Sequence, residues 1–411
     1  MTADSLRGTS ISGTVLARVG LLAFGLIGSI ASARTLGPVG RGQYFAVTTA
    51  ATIMAQAANL GLSSSNVFLG AQDPARIRPL LANSFVLALT LAVLSALVVA
   101  GWGDRASAFI GVPPGMLWAV GAIGAATLLW TLEANLLVAT ERFLAFNVWQ
   151  ISHGLMALLA IIVCAALDAS AGGFVFASAA TAVATAVGLT WFIAASASGA
   201  MRCSFPLIRS GVGFASRAYL ALLLGYLLQR SAASLLVAAG KTSELGQFSI
   251  ASQLFDALLI VPSSVSLVLY PLLVRHAEDL WHQVRRTAII TTGSMVALCA
   301  LTALAAPVAV PLVFGTRFSG SIAPLWGLLP TVIAYSLVSV LSQYLVARRF
   351  PWSLVAAWGA GLAVALITGI RLTRVYGAVG AALSESCGAS LVCVLVVAIA
   401  YRSLRLRESP P

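Results

Sequence analysis

The stretch LLANSFVLALTLAVLSALVVAGW, residues 80–102, decides the class of this protein. It carries no charged side chain, and a helix of that length rises about 34 Å, enough to cross a hydrocarbon layer about 30 Å thick. Comparable apolar runs recur along all 411 residues and predict twelve spans: 12–33, 44–65, 80–102, 117–140, 148–168, 172–194, 217–238, 250–272, 287–310, 325–346, 352–371 and 378–401. Hydrophobic residues make up 60% of the chain and charged residues only 9%, against roughly a quarter charged in an ordinary soluble domain. That much apolar surface is covered by lipid rather than by a water-soluble core. The predicted class is therefore an all-α, polytopic membrane protein. The segment Ala31-Ser32-Ala33 resembles a signal-peptidase site, but Arg18 interrupts the run before it and a polytopic chain follows, so cleavage is not expected.

Most of the remaining chemistry is excluded by position. The formal net charge of +12 comes from Lys and Arg placed singly or in pairs between apolar runs, where they orient a membrane protein. No basic, aromatic-laced soluble segment of the nucleic-acid-binding kind accompanies them. Cys164, Cys203, Cys299, Cys387 and Cys393 are scattered, mostly within apolar runs, and read as packing residues. Gly240-Lys241-Thr242 resembles the end of a phosphate-binding loop, but Leu235 stands where that motif has its first glycine. His153, His276 and His282 lack the spacing of a metal site, and no long loop offers a place for catalytic carboxylates. Neither an enzyme nor a metal or organic cofactor is expected; the only co-solute foreseen is H⁺ or Na⁺ as a coupling ion.

Counted over the predicted loops, Lys and Arg fall fifteen to seven in favour of the side shared by the two termini, with Arg18 and Arg230 inside spans. The positive-inside rule places both termini in the cytoplasm and the protein in the cytoplasmic (inner) membrane. The longest mid-chain stretch of moderate polarity, around Arg202, Pro206, Arg209 and Gly211, divides the spans six and six. The expected organisation is an N-terminal lobe at 1–198, a cytoplasmic linker at 199–216, a C-terminal lobe at 217–401 and a short tail at 402–411. An internal echo supports two halves: Gly42-Gln43-Tyr44 opens the second span and Gly246-Gln247-Phe248 the eighth. Two repeats around a central site are a recurring transporter plan.

The informative residues are charges inside apolar runs, since an isolated charge at the bilayer centre costs on the order of 3 kcal/mol. Arg18 and Arg230 lie in the first span of each half. Both could look into one cavity and grip a pyrophosphate by paired hydrogen bonds, although Arg18 is near enough to its span end to snorkel. Asp256, Glu385 and Glu133 are candidates for ion coupling or for interhelical ion pairs. Gln56, Asn59 and Gln229 are candidate sugar contacts, or polar glue between helices.

Several segments carry a family resemblance. Arg34-Thr-Leu-Gly-Pro-Val-Gly-Arg-Gly-Gln-Tyr44, then Asn59-Leu-Gly-Leu-Ser63, resembles the signature after the first helix of polysaccharide exporters. These are the O-antigen-type oligosaccharide flippases of the multidrug/oligosaccharidyl-lipid/polysaccharide (MOP) superfamily. Leu245-Gly-Gln-Phe-Ser-Ile-Ala251, Leu312-Val-Phe-Gly-Thr-Arg-Phe318 and Tyr376-Gly-Ala-Val-Gly-Ala-Ala382 are similar to later parts of it, in order along nearly the whole chain. The resemblance implies two six-helix lobes open alternately to each side. It also implies a polyprenyl-diphosphate-linked oligosaccharide as cargo, membrane lipid and polysaccharide polymerase machinery as partners, and cation-coupled or gradient-sensitive exchange. One departure stands out. Many relatives carry an acid near the middle of the seventh helix, where this chain reads Gln229-Arg-Ser-Ala-Ala-Ser234. Twelve spans also fit the length better than the fourteen of the related peptidoglycan-precursor flippases.

Two other functions are compatible with such a chain. A cation-coupled multidrug or metabolite exporter of the same superfamily would use a cavity dominated by acids and aromatic surfaces. A non-transporting membrane scaffold would need a substantial soluble tail, and Arg402 to Pro411 is too short for one.

Overall fold

The computed structural model describes residues 3–275, 280–347 and 351–408, with side chains from Gly20 onward outside 213–215, 267–268, 270–280, 347–350 and 405–411. Among these residues every regular element is helical. The helices are α1 (Ala3–Ala58), α2 (Leu62–Gln72), α3 (Ile77–Ile110), α4 (Leu117–Ala139), α5 (Phe143–Ala166) and α6 (Ala171–Ser196). They are followed by α7 (Phe205–Gln229), α8 (Ser231–Ala238), α9 (Thr242–Leu258), α10 (Ile260–Arg275), α11 (Leu280–Phe314), α12 (Ile322–Ala347) and α13 (Trp352–Glu408).

Two of these are hairpins. The continuous helices α1 and α13 are broken by Gly37 (φ 61°) and Gly377 (φ 57°), both in the left-handed region that suits glycine. In a straight helix Ser29 and Arg41 would stand about 18 Å apart along the axis, yet Arg41 Nη2 donates to Ser29 Oγ at 2.9 Å. Likewise, a Cβ on Gly361 would lie 2.8 Å from the carbonyl oxygen of Gly388, so the two arms of α13 run in backbone contact. Nine helical stretches are long and apolar enough to cross a membrane, and a bent pair formed by 205–212 and 216–229 makes ten. Two of these, Gly20–Ala58 and Trp352–Leu404, fold back on themselves at the glycine reversals; with each arm counted separately the apolar helical segments among the described residues number twelve.

Ends and turns follow local chemistry. Asp73 caps the short helical turn before α3 by accepting the Ala75 amide at 3.0 Å, with Pro74 in the first position. Gly111, at φ 73°, closes α3. Arg78 Nη2 donates to the carbonyl of Ala194 at 2.7 Å and Arg142 Nη1 to Ser196 Oγ at 2.7 Å. Two arginines thus bond the polar end of α6. The 199–216 stretch, expected as a linker, turns helical at Phe205 and bends between Val212 and Ser216. Leu207, Ile208, Gly211 and Val212 are half-buried or buried there.

The chain forms two compact units, Met1–Tyr219 and Leu220–Pro411. In the first, Leu81, Leu136, Leu189 and Ile193 form a core between α3, α4 and α6. Tyr219 ends this unit by donating to the carbonyls of Gln56 and Ala57, at 2.8 Å each. In the second, Tyr344, Val340, Val392, Val396 and Leu228 form the core. Large apolar side chains such as Leu304, Val308 and Ile367 stay more than two-thirds exposed, as a bilayer-facing helix requires. Gly124 against Ala51, and Gly327 against Ala382, let the helices approach closely.

Candidate functional site

The second unit holds a polar cluster built on helix breaks. Arg230 occupies the junction between α7 and α8 with φ −107° and ψ 3°, outside regular helical values. Asp256 lies in the last turn of α9, just before the chain breaks again at Leu259. Interrupted helices bring polar groups into the membrane interior where they can line a cavity. Arg230 Nη2 donates to Asp256 Oδ2 at 3.0 Å, and Nη1 donates to Ser252 Oγ at 3.2 Å. The guanidinium lies 5.6 Å from the centre of the Tyr226 ring. Gln229 Nε2 donates to Asp256 Oδ1 at 3.3 Å, so both carboxylate oxygens are engaged. The Arg230 side chain is 18% exposed and that of Asp256 35%.

Glu385, from the second arm of α13, completes the cluster. It is 1% exposed and makes no hydrogen bond of ordinary geometry. It lies near the Ala232 backbone, within electrostatic reach of Arg230 and Asp256. Tyr335 of α12 is close enough to feel both Glu385 and Arg230, and its hydroxyl is buried without a partner. Its ring packs between Phe255, at 6.3 Å, and Trp358, at 5.7 Å. One guanidinium and two carboxyl groups thus share an aromatic-walled interior. Sequence reasoning found Arg230, Gln229, Asp256 and Glu385 but missed Tyr335, which reads as one more aromatic in an apolar run.

The first unit holds buried polar groups of its own. Glu133 of α4 is fully buried; Thr190 of α6 donates to its Oε1, while Oε2 has no partner. Nearby in the chain, His153 Nδ1 of α5 and Thr185 Oγ1 of α6 are 2.8 Å apart, and the imidazole stacks on Trp130 of α4 at 4.9 Å. Arg41, expected in an exposed loop, is instead 4% exposed. It donates to Ser32 Oγ and Ser29 Oγ and lies 5.6 Å from the Tyr44 ring centre, while the Tyr44 hydroxyl meets Ser178 Oγ at 3.0 Å. The Gly37 reversal folds the residue inward, so a turn motif that looks solvent-exposed in the sequence carries a buried cation. The available signal was its place inside the segment from Arg34 to Tyr44.

The remaining candidates are placed as follows. Asn59 is buried and bonds to Ser63 twice, accepting from its amide at 3.1 Å and donating to its Oγ at 3.2 Å. That holds the break before α2. Gln56 is half-buried, and its carbonyl receives the Tyr219 hydroxyl. The side chain of Arg18 and all of His276 lie outside the described residues. No group of three or more His, Cys, Asp or Glu suited to a metal occurs among the described residues.

No family model and no curated protein matches the sequence. Solved structures do. The lipid II flippase MurJ in an inward closed conformation aligns with a TM-score of 0.78 at 12% identity, over 95% of this chain and 87% of that one. An inward-facing multidrug resistance MATE family transporter of the MOP superfamily aligns with a TM-score of 0.74 at 15% identity, over 96% of each chain. A MATE protein in the straight conformation aligns with a TM-score of 0.64 at 14% identity, over 96% and 97%. The protein is a multi-pass membrane protein with the fold shared by the lipid II flippase MurJ and the MATE transporters.

Proposed function

We propose that this protein is a transporter that flips a polyprenyl-diphosphate-linked oligosaccharide across the cytoplasmic membrane by alternating access, for polysaccharide biosynthesis. The observation that carries this reading is Arg230, an intramembrane guanidinium at a helix break and only 18% exposed. Asp256, Ser252 and Tyr226 engage part of its five N–H donors. The others are suited to a diphosphate, which a guanidinium grips through parallel hydrogen bonds. The sequence segments similar to polysaccharide exporters and the fold likeness to a lipid II flippase support the same class of cargo. Glu385 and Asp256 serve as the ion-coupling groups, for H⁺ or Na⁺, because they share one cation between two carboxyl groups.

The second reading, a cation-coupled multidrug or metabolite exporter, is favoured by that same surplus of acid and by the Tyr226, Phe255, Tyr335 and Trp358 rings around it. Both readings describe a carrier without bond chemistry of its own. Transbilayer movement of a fluorescent polyprenyl-diphosphate oligosaccharide in proteoliposomes separates them. Protein-dependent movement that drops at least tenfold in Arg230→Ala, and loses its ion dependence in Glu385→Gln, supports the flippase. No movement of linked sugars, with ion-driven efflux of a cationic dye that survives Arg230→Ala, overturns it in favour of the exporter.

A further inference from the structure

At one end of α3 and α4 the chain builds a cleft that the transport reading does not use. The α3 backbone breaks at Trp102 (φ −136°, ψ 28°), and the chain returns through Gly111 and Pro113-Pro114 into α4. The break opens a cavity of about 630 Å³ lined by Trp102, Asp104, Arg105, Pro114, Leu117 and Trp118, among others. Trp102 and Trp118 are 58% and 52% exposed, which places this level at the membrane–water boundary, where such rings collect. Asp104 and Arg105 are exposed neighbours, and neither forms an ion pair among the described residues. The cleft therefore presents one anion and one cation side by side, beneath aromatic walls.

A second cavity lies deeper on the same helix pair. It measures about 270 Å³ and is apolar throughout, with Phe85, Leu89 and Ala92 of α3, Ala122 and Ala125 of α4, and Val183 of α6 in its wall. Ala92 lies ten residues before Trp102, about 15 Å along the helix, which is half the hydrocarbon thickness. On α4, Trp118, Ala122, Ala125 and Leu129 lie within about 60° of one another around the helix axis, so they share one face. Trp118 belongs to the cleft and the other three to the deep groove, so this face runs as an apolar track from one to the other. Leu89, Val93 and Leu97 form a winding apolar ridge beside it on α3, each about half-exposed or more.

We propose that this face of the first unit binds one phospholipid with a zwitterionic amine-and-phosphate headgroup. Arg105 takes the phosphate and Asp104 the ammonium, while Trp102 and Trp118 flank the glycerol esters. One acyl chain follows the track into the alanine-lined groove. An interfacial aromatic belt by itself accounts for the tryptophans, but not for the concavity, the acid–base neighbours or the groove in register below them. An anionic headgroup would satisfy Arg105 and be repelled by Asp104, so the paired charges select a dipolar one. The proposal stands independently of the cargo the protein carries.

The test uses the full-length protein reconstituted with equal phosphatidylethanolamine and phosphatidylglycerol, extracted, and read by native mass spectrometry of retained lipid. The expected result is one retained phosphatidylethanolamine per chain at no less than tenfold preference. Arg105→Ala, Asp104→Asn and the groove-filling Ala122→Leu each reduce retention at least fivefold at unchanged melting temperature. Equal retention of the two lipids, or retention indifferent to all three variants, marks ordinary annular lipid and overturns the proposal. Soluble phosphoethanolamine competing as well as the whole lipid removes the acyl groove from the site and overturns it as well. So does loss of a dimer, rather than of lipid, in a Trp102→Ala/Trp118→Ala variant.

Discussion

Arg230 is held by Asp256 on one side and by Ser252 on the other, and both acceptors come from α9. Removing one member of a buried ion pair leaves an uncompensated charge, at about 3–5 kcal/mol where burial is complete. With Asp256 35% exposed, Asp256→Asn is expected to destabilise by less, about 1–3 kcal/mol. Pairing it with Arg230→Gln in a double-mutant cycle should recover a coupling of about 1–2 kcal/mol, read from reversible unfolding in mixed detergent micelles. Additive effects would make the contact incidental. Glu133 obeys a different rule. Its one hydrogen bond comes from Thr190 and its other oxygen has no partner, so an amide of the same shape keeps what the carboxyl group has. Glu133→Gln should stay within about 1 kcal/mol of wild type, whereas Glu133→Lys, which buries a cation in the same pocket, should lose more than about 3 kcal/mol in the same assay. The isolated charges in apolar runs were legible from the sequence because their cost in lipid is so large. Asp256 was legible as an ion-pair candidate, but which charge it meets was not, since Arg230 and Asp256 are separated by a helix and a turn and only folding sets the distance between them.

Glycines at the helix reversals supply a left-handed backbone conformation that those inside helices do not need. At Gly377 the backbone has φ 57°, and a Cβ there would collide with Glu244 Oε2, the oxygen that accepts the Ala378 amide at 2.6 Å. Gly377→Ala therefore combines backbone strain with loss of that cap and should destabilise by about 2–4 kcal/mol. Gly293, inside α11, would place a Cβ in open space. Gly293→Ala should stabilise by about 0.5–1 kcal/mol, and thermal unfolding of the two variants side by side checks both signs. Glycine and proline marked most helix limits in the sequence, including Gly37-Pro38 and Pro113-Pro114. The break at Leu259 carries one as well: Pro262 follows it and has no N–H to offer the Leu258 carbonyl. The break at Arg230 has no such mark nearby, and a local composition rule has no access to it. The extra helix from Phe205 escaped for a related reason: Arg209, Gly211 and Gly213 suggest a linker, but tertiary packing overrides weak propensity.

Across the molecule, a path of twelve crossings puts the loop at Cys203 and the loop at Asp168 on opposite sides of the membrane, with α6 as the one crossing between them. In a variant keeping only Cys203, and in one lacking native cysteines with Asp168→Cys, an impermeant maleimide applied to oriented vesicles should label one of the two and not the other. Labelling of both from one side would require an even number of crossings between them and would break the twelve-span path. Length and apolar patterning were sufficient for the all-α, multi-pass membrane class, because transfer into lipid is a property of each segment alone. The tertiary structure alone decided that Arg41 is buried, that Tyr335 joins Glu385 and Arg230, and that α3 and α4 enclose a cleft above an apolar groove. Those facts depend on distances between segments remote in sequence, and the physical forces that fix such distances act only once the helices pack against one another.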